Sequence, residues 1–374
     1  MKINFFLPGI PKNPVGGYKV VYQYANALSE NGHEVCIIHV DNIKAPDYGE
    51  KSNKKKLLKR LTVRKLLNKI CLIKKRIYLE KGNVINKDIV SWFTFDKKIR
   101  FINQWDFNLE ELSSADVNIA TAWNTAILVD RIPDEYGEKF YFIQGYENWQ
   151  DSKVVDKTFN LGFHKIVVAS WLQKMLEERF KEKASLLPNF VDFNDYYLMN
   201  RIENRDNNTV AMLYHESETK GTEYGLEAIK IIRERNPDIK VILFGVYNRP
   251  NNLPQYIEYH KKPNIDYLRD YIYNKSSIFI SPSILEGWGL TITEAMACGA
   301  SVVVSDSKGI NDFIENGVNG LVVEPKNARA IADKVDELLN DNDKRIRLAK
   351  QGNKVISNFT LDRSMKLLEK ILEQ

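Results

Sequence analysis

The sequence predicts an α/β protein made of two doubly wound domains. Three observations carry that expectation. Short apolar runs alternate with amphipathic stretches along most of the chain, the alternation breaks near residues 190–208, and it then starts again. At 374 residues the chain is long enough for two domains of ordinary size. A hydrophobic content of 44% with 28% charged residues predicts a soluble globular protein.

KINFFLP reads as the first strand, and its apolar run stops at Pro8 and Gly9, too early for the core of a signal peptide. Gly17 to Asn31 reads as a helix with Val20, Val21, Tyr24, Ala25 and Leu28 on one face, closed by Gly32. EVCIIHV is a second strand, and DVNIATA, KFYFIQG, KIVVAS and SLLPNFV read as further strands. FNDYYLMNRIENRDNN is polar and turn-rich and reads as a linker. Beyond it TVAMLYH, KVILFGV, SIFISPS, ASVVVSD and GLVVEP read as strands. EYGLEAIKIIRERN, IDYLRDYIYNK, TITEAMACG, INDFIENG and NARAIADKVDELLND read as helices. The expected domains are 1–192 and 209–356, with a C-terminal helix in 357–374 packing back on the first domain. Ligands bind beyond the carboxyl ends of such strands, so the cleft between two facing domains is the expected site.

Charge is unevenly spread. Residues 51–82 hold thirteen Lys or Arg and one acid, a net of +12, which leaves −7 for the rest of a chain whose total is +5. Leu57, Leu58, Leu61, Leu66, Ile70, Ile73 and Ile77 lie among these charges, at helical spacing from Leu66 onwards. A basic amphipathic helix suits an anionic membrane surface. The alternative is an ordinary helix with solvated lysines; nucleic acid is not expected, because the segment has one aromatic residue and no reader motif. No apolar run reaches the roughly 18 residues that a membrane span needs. Cys36, Cys71 and Cys298 are scattered, form no Cys-x-x-Cys and read as small buried hydrophobes of a reducing compartment.

Three stretches can carry chemistry. Gly16 and Gly17 lie between the first strand and the first helix, where free amides can meet an anion. Lys220-Gly221 sits between a strand and a helix, where a lysine can hold a phosphate as a mobile point charge. LEGWGLTITEAMACGASVVVSD places Glu286 and Glu294 either side of seven residues that include Gly287, Trp288 and Gly289. Thr291 and Glu294 have capping-box spacing, which accounts for Glu294 but not for Glu286 or the Gly-Trp-Gly turn. The second account is a sugar-nucleotide site: glycine amides and a helix N-terminus for phosphates, and two carboxylates that pair with vicinal hydroxyls.

These residues resemble the retaining glycosyltransferases of the large GT-B-fold group often called family four or group one. The resemblance is specific at Ser281-Pro282-Ser283, Glu286-Gly287-Trp288-Gly289-Leu290 and Glu294-Ala295-Met296-Ala297-Cys298-Gly299. It extends to Asn319-Gly320, the Gly16-Gly17 helix, Leu187-Pro188-Asn189 and Lys220-Gly221. It implies two Rossmann-like domains facing across a cleft, the first binding acceptor and the second a nucleotide-diphosphate sugar. Glu286 would hold donor-sugar hydroxyls near the reacting carbon and Glu294 the ribose. Lys220 and the amides around Gly289, Leu290 and Thr291 would bind the diphosphate. Glu286 and Lys220 are thus the catalytic candidates. Gly16, Gly17, His215, Gly287, Trp288 and Glu294 complete the donor-binding set, and no cofactor is expected.

The sequence departs from the family pattern in places. His215 stands five residues before Lys220, where members often carry an Arg; a neutral imidazole lacks that fixed charge and fork. The region Thr121-Ala122-Trp123-Asn124-Thr125 lacks the His that many members place near the sugar. Gln144-Gly145-Tyr146-Glu147 resembles a Gln-Asp-Tyr-Glu loop of some bacterial rhamnosyl and polysaccharide transferases, which makes Asn124 and Glu147 candidates for acceptor or donor contact. Asp341-Asn342-Asp343 has an Asp-x-Asp form but ends a helix, so it reads as a cap and turn and no metal is expected. The expectation is a cytoplasmic, membrane-peripheral transferase of a hexose or deoxyhexose to a glycan or lipid-linked acceptor of surface polysaccharide or glycolipid. The alternatives are a sugar-nucleotide epimerase and a non-catalytic binding protein on the same scaffold.

Overall fold

A computed structural model describes residues 1–43, 90–147 and 152–374; the basic segment 51–82 and Cys71 lie outside them. The chain forms two compact units, Met1–Ile166 with Arg179–Ala184 and Val167–Glu178 with Ser185–Gln374.

The first sheet contains β1 (Lys2–Leu7), β2 (Glu34–Val40), β3 (Arg100–Gln104), β4 (Val117–Ala120), β5 (Glu138–Ile143), β6 (His164–Val167) and β7 (Ser185–Leu186). Their order is β3-β2-β1-β4-β5-β6-β7. The second sheet contains β8 (Thr209–Leu213), β9 (Lys240–Gly245), β10 (Ile257–Lys261), β11 (Ile278–Ser281), β12 (Ser301–Ser305) and β13 (Leu321–Val323), in the order β10-β9-β8-β11-β12-β13. All of its neighbouring strands run parallel. Both sheets therefore reverse direction after their third strand, which places β4 beside β1 and β11 beside β8. At such a switch point the loops diverge and leave a crevice at the carboxyl end.

The strands form where the apolar runs lie. Ile3, Phe5, Phe6 and Leu7 of β1 and all of β12 are buried. Continuous apolar runs of this kind suit parallel strands covered on both faces. The Gly16–Glu30 helix buries Val20, Val21, Tyr24, Ala25 and Leu28, the face that its spacing predicts, and Gly32 follows at φ 89°. Cys36 and Cys298 are buried free thiols, and burial pushes them up to about 11 and about 12.

Several elements differ from expectation. β3 (RFINQ) and β10 (IEYHK) are mixed polar and apolar, and both occupy a sheet edge, where one side needs less apolar cover. Residues 310–317 form turns instead of a helix. Asn319 fixes them, donating to Phe313 O and accepting from the Glu315 amide, each at 2.8 Å. Ile265–Tyr267 is helical and continues as π-helix through Leu268–Tyr273. The polar 190–208 stretch packs into the second unit, with Tyr196, Ile202 and Arg205 buried. The Arg205 guanidinium donates to the Tyr273, Ser276 and Cys298 carbonyls and so anchors the segment to the second unit.

One glycine fixes the crevice of the second sheet. Gly221 has φ 59°, and a Cβ there would lie 2.1 Å from the Pro282 carbonyl oxygen. The turn after β8 therefore lies against the loop after β11 with no room for a side chain. Gly221→Ala should destabilise the second unit by about 2–4 kcal/mol in urea unfolding, through backbone strain and the forced shift. A loss under about 0.5 kcal/mol would contradict this packing.

Candidate active site

The loops after β8 and β11, the two strands at the second switch point, bring the sequence-predicted charges together. After β8 the chain makes a turn at Glu218–Lys220, and Thr219 O accepts from the Ile284 amide at 2.8 Å and the Leu285 amide at 3.3 Å. Lys220 Nζ then donates to both oxygens of Glu286, at 2.7 and 2.8 Å. Ser283 Oγ donates to Glu286 Oε1 at 2.8 Å, and the Glu286 amide donates to Ser307 O at 3.0 Å. The Glu286 side chain is 10% exposed and that of Lys220 29%. A carboxylate and an ammonium are thus held together in the crevice, both mostly withdrawn from water.

His215 lies beside them. Its Nδ1 accepts from the Ser217 amide at 2.9 Å, which puts the hydrogen of the neutral ring on Nε2. Desolvation, then the Lys220 charge, lowers its pKa, with Glu286 acting the other way. At neutral pH His215 is therefore a neutral donor of one hydrogen bond and not a stand-in cation.

The Leu290–Ala297 helix begins directly after the turn. Its N-cap is Gly289 at φ 111°, with no side-chain cap, so its first amides face the loop. Thr291 lies inside the helix and the capping-box reading does not hold. Glu294 Oε2 instead accepts from the buried Tyr273 hydroxyl at 3.0 Å. Trp288 is a core residue by its side chain, packed on Phe313 and Phe359 with ring centroids 4.9 and 5.3 Å away, which leaves only its backbone for a ligand. Gly287 and Leu290 flank the same turn. Ser283 entered the sequence reading only within Ser281-Pro282-Ser283 and with no role, and Tyr273, Thr219 and Ser307 were not singled out. The Ser-Pro-Ser spacing before Glu286 is a signal for the first, whereas the others become neighbours only through the fold.

The remaining candidates lie in the first unit. Gly16 and Gly17 open the first helix, and Gln144 Nε2 donates to Gly17 O at 3.1 Å. Asn124 is in the first turn of the Trp123–Asp130 helix and accepts from the Thr125 amide at 2.9 Å. Glu147 Oε2 accepts from the Trp123 amide at 2.9 Å, at the start of that helix. All three groups follow β1, β4 or β5 at their carboxyl ends, around the first unit's own switch point. Asp341 caps the Asn342–Ile356 helix by accepting from the Lys344 amide at 2.9 Å, as its place in the sequence predicts. Among the described residues no group of three or more His, Cys, Asp or Glu is placed to hold a metal ion, and no helix is long and apolar enough to cross a membrane.

Residues 200–355 match the family described as glycosyl transferases group 1. The capsular polysaccharide biosynthesis glycosyltransferase CapM of Staphylococcus aureus is 28% identical over 184 residues, 47% of this chain and 47% of that protein. The chain thus spans about half the length of this curated relative. An uncharacterized glycosyltransferase of Haemophilus influenzae is 23% identical across 100% of this chain and 98% of its own. Among solved structures, Anabaena HepE, in complex with UDP-glucose, superposes with a TM-score of 0.71 at 15% identity, covering 100% of both chains. The two Rossmann-like sheets are those of the GT-B fold.

Glu147 gives this geometry a pH signature. Burial pushes its carboxyl from 4.5 up to about 7, opposed by the Trp123 amide. The folded protein keeps a proton that the unfolded chain releases, so this group's stabilisation is full below the unfolded value and lost as pH rises through about 7. Glu147→Gln, which cannot ionise, should stabilise the protein by roughly 1–3 kcal/mol at about pH 8 and by much less at about pH 4.5, read by urea unfolding. An equal effect at both pH values would contradict a half-buried, proton-holding carboxyl.

Proposed function

We propose, from a chain whose residues 200–355 match the glycosyl transferases group 1 family, that it is a retaining glycosyltransferase. It moves a hexose or deoxyhexose from a nucleotide-diphosphate donor to a glycan or lipid-linked acceptor of cell-surface polysaccharide or glycolipid. The observation that carries this reading is the Lys220–Glu286 pair beside the uncapped Leu290–Ala297 helix. A cation, free amides and a hydrogen-bond-accepting carboxylate are the groups that a diphosphate joined to a sugar requires. CapM, named for capsular polysaccharide biosynthesis, supports the product class, and HepE, solved with UDP-glucose, supports a nucleotide sugar as donor.

In this reading the diphosphate meets Lys220 and the amides of Gly289, Leu290 and Thr291. They stabilise the charge that grows on the leaving phosphate oxygen as its bond to the anomeric carbon breaks. Glu286 accepts hydrogen bonds from sugar hydroxyls and Glu294 from the ribose. The acceptor oxygen bonds to the anomeric carbon on the face being vacated, and its proton passes to the leaving phosphate oxygen, so configuration is kept. Neutral His215 adds one hydrogen bond through Nε2. No step is assigned to a metal. The reaction sits on the cytoplasmic side of the membrane, and the thirteen basic residues of 51–82 attach the enzyme to anionic lipid.

Because Lys220 is engaged by Glu286, Glu286→Gln should separate binding from chemistry. Turnover, followed as nucleoside diphosphate release with a membrane-lipid extract as acceptor, should fall about 100-fold or more. Affinity for the nucleoside diphosphate should hold or rise, since a neutral amide competes less for the ammonium. Unchanged turnover would remove Glu286 from the mechanism. An isomerised nucleotide sugar formed without acceptor would make the protein an epimerase instead.

A further inference from the structure

We infer that Trp171 is a positioning residue for the Glu286–Gly289 loop, acting through the Gly287 carbonyl. The inference rests on the donor-site reading above. That loop has no strand or helix of its own, so its shape depends on the few backbone groups that meet partners. The Glu286 amide is held by Ser307 O at 3.0 Å. The Gly287 carbonyl accepts from Trp171 Nε1 at 3.1 Å. Both partners belong to the second unit.

Trp171 is itself fixed on two sides. The preceding Ser170 amide donates to Asp312 Oδ2 at 2.7 Å, and the Ser170 hydroxyl meets the other oxygen of that carboxylate. The Lys308 ammonium lies 5.6 Å from the centre of the indole ring. The Lys308 backbone also forms an isolated parallel β-bridge with that of Glu286, and Gly309 lies flush beneath the loop. A Cβ on Gly309 would stand 2.8 Å from Glu286 O, Trp288 N and Trp288 O. The 307–309 segment and Trp171 therefore grip the loop at adjacent peptide groups. Trp171 is only partly buried, so its bond to Gly287 is not a by-product of core packing. Carboxylate placement matters because a hydrogen bond tolerates only a few tenths of an ångström about its best donor–acceptor distance.

Trp171→Phe keeps a ring for Lys308 and removes the N–H. Hydrogen exchange of the 286–290 amides should rise about fivefold or more, with protection elsewhere unchanged. Turnover should fall about tenfold with donor KM changed less than about threefold, because Lys220 and the helix amides still bind the diphosphate. Gly309→Ala, which pushes the loop from the other side, should give the same split. Exchange is read without any substrate. Faster loop exchange in a chain that transfers no sugar would keep the grip and defeat the donor-site reading. Unchanged loop exchange in Trp171→Phe overturns the inference whatever the activity, as does a uniform loss of stability with kcat and KM intact.

Discussion

The contact between Lys220 and both oxygens of Glu286 joins the two loops on which any ligand chemistry of the second unit depends. Its net stabilisation is small, because two charges partly withdrawn from water give up much of their hydration. Its value lies in order. With Glu286 nearly buried and Ser283 on one of its oxygens, removing either partner strands a charge, at up to about 3–5 kcal/mol for a fully buried pair. Protein groups alone thus hold the cation and the carboxylate in place, and a ligand need not order them at its own cost.

Why these two residues meet follows from sheet order. Lys220 and Glu286 are 66 residues apart in sequence, yet β8 and β11 are neighbours in the sheet, and the chain leaves both strands at the same edge. The amides of Ile284 and Leu285 on Thr219 O, and Gly221 against Pro282, then draw the loops together. The first unit repeats the plan at β1 and β4, which puts Gly16, Gly17 and Asn124 at its own switch point. The fold supplies two similar crevices; among the described residues the second brings together a cation, two carboxylates and a helix start without a side-chain cap.

Much of this was legible because parallel strands buried on both faces are written as continuous apolar runs. β1, β2, β8, β9, β11 and β12 stood out for that reason. β3 and β10 did not, because edge strands carry Asn, Gln, Glu and His that read as loop. The 310–317 turns mimic helical spacing, with Ile310, Phe313 and Ile314 buried, and only the Asn319 hydrogen bonds show what stops a helix. The 190–208 segment looked like a linker because composition cannot reveal that Arg205 spends its donors on buried carbonyls. In the site, Glu286, Lys220 and Glu294 were legible from spacing and resemblance. The grip of Trp171 on Gly287 was not, since nothing local links residues 116 positions apart. Trp288, conspicuous between two glycines, turns its ring into the core.

The most direct test is calorimetric titration of UDP-, GDP- and dTDP-hexoses into the intact chain and into Lys220→Met. The expected result is that one nucleotide family binds the wild type, and that Lys220→Met weakens that binding at least about tenfold with the fold retained. Absence of binding by every nucleotide sugar, or equal affinity in the two proteins, would contradict a diphosphate site built on Lys220 and Glu286.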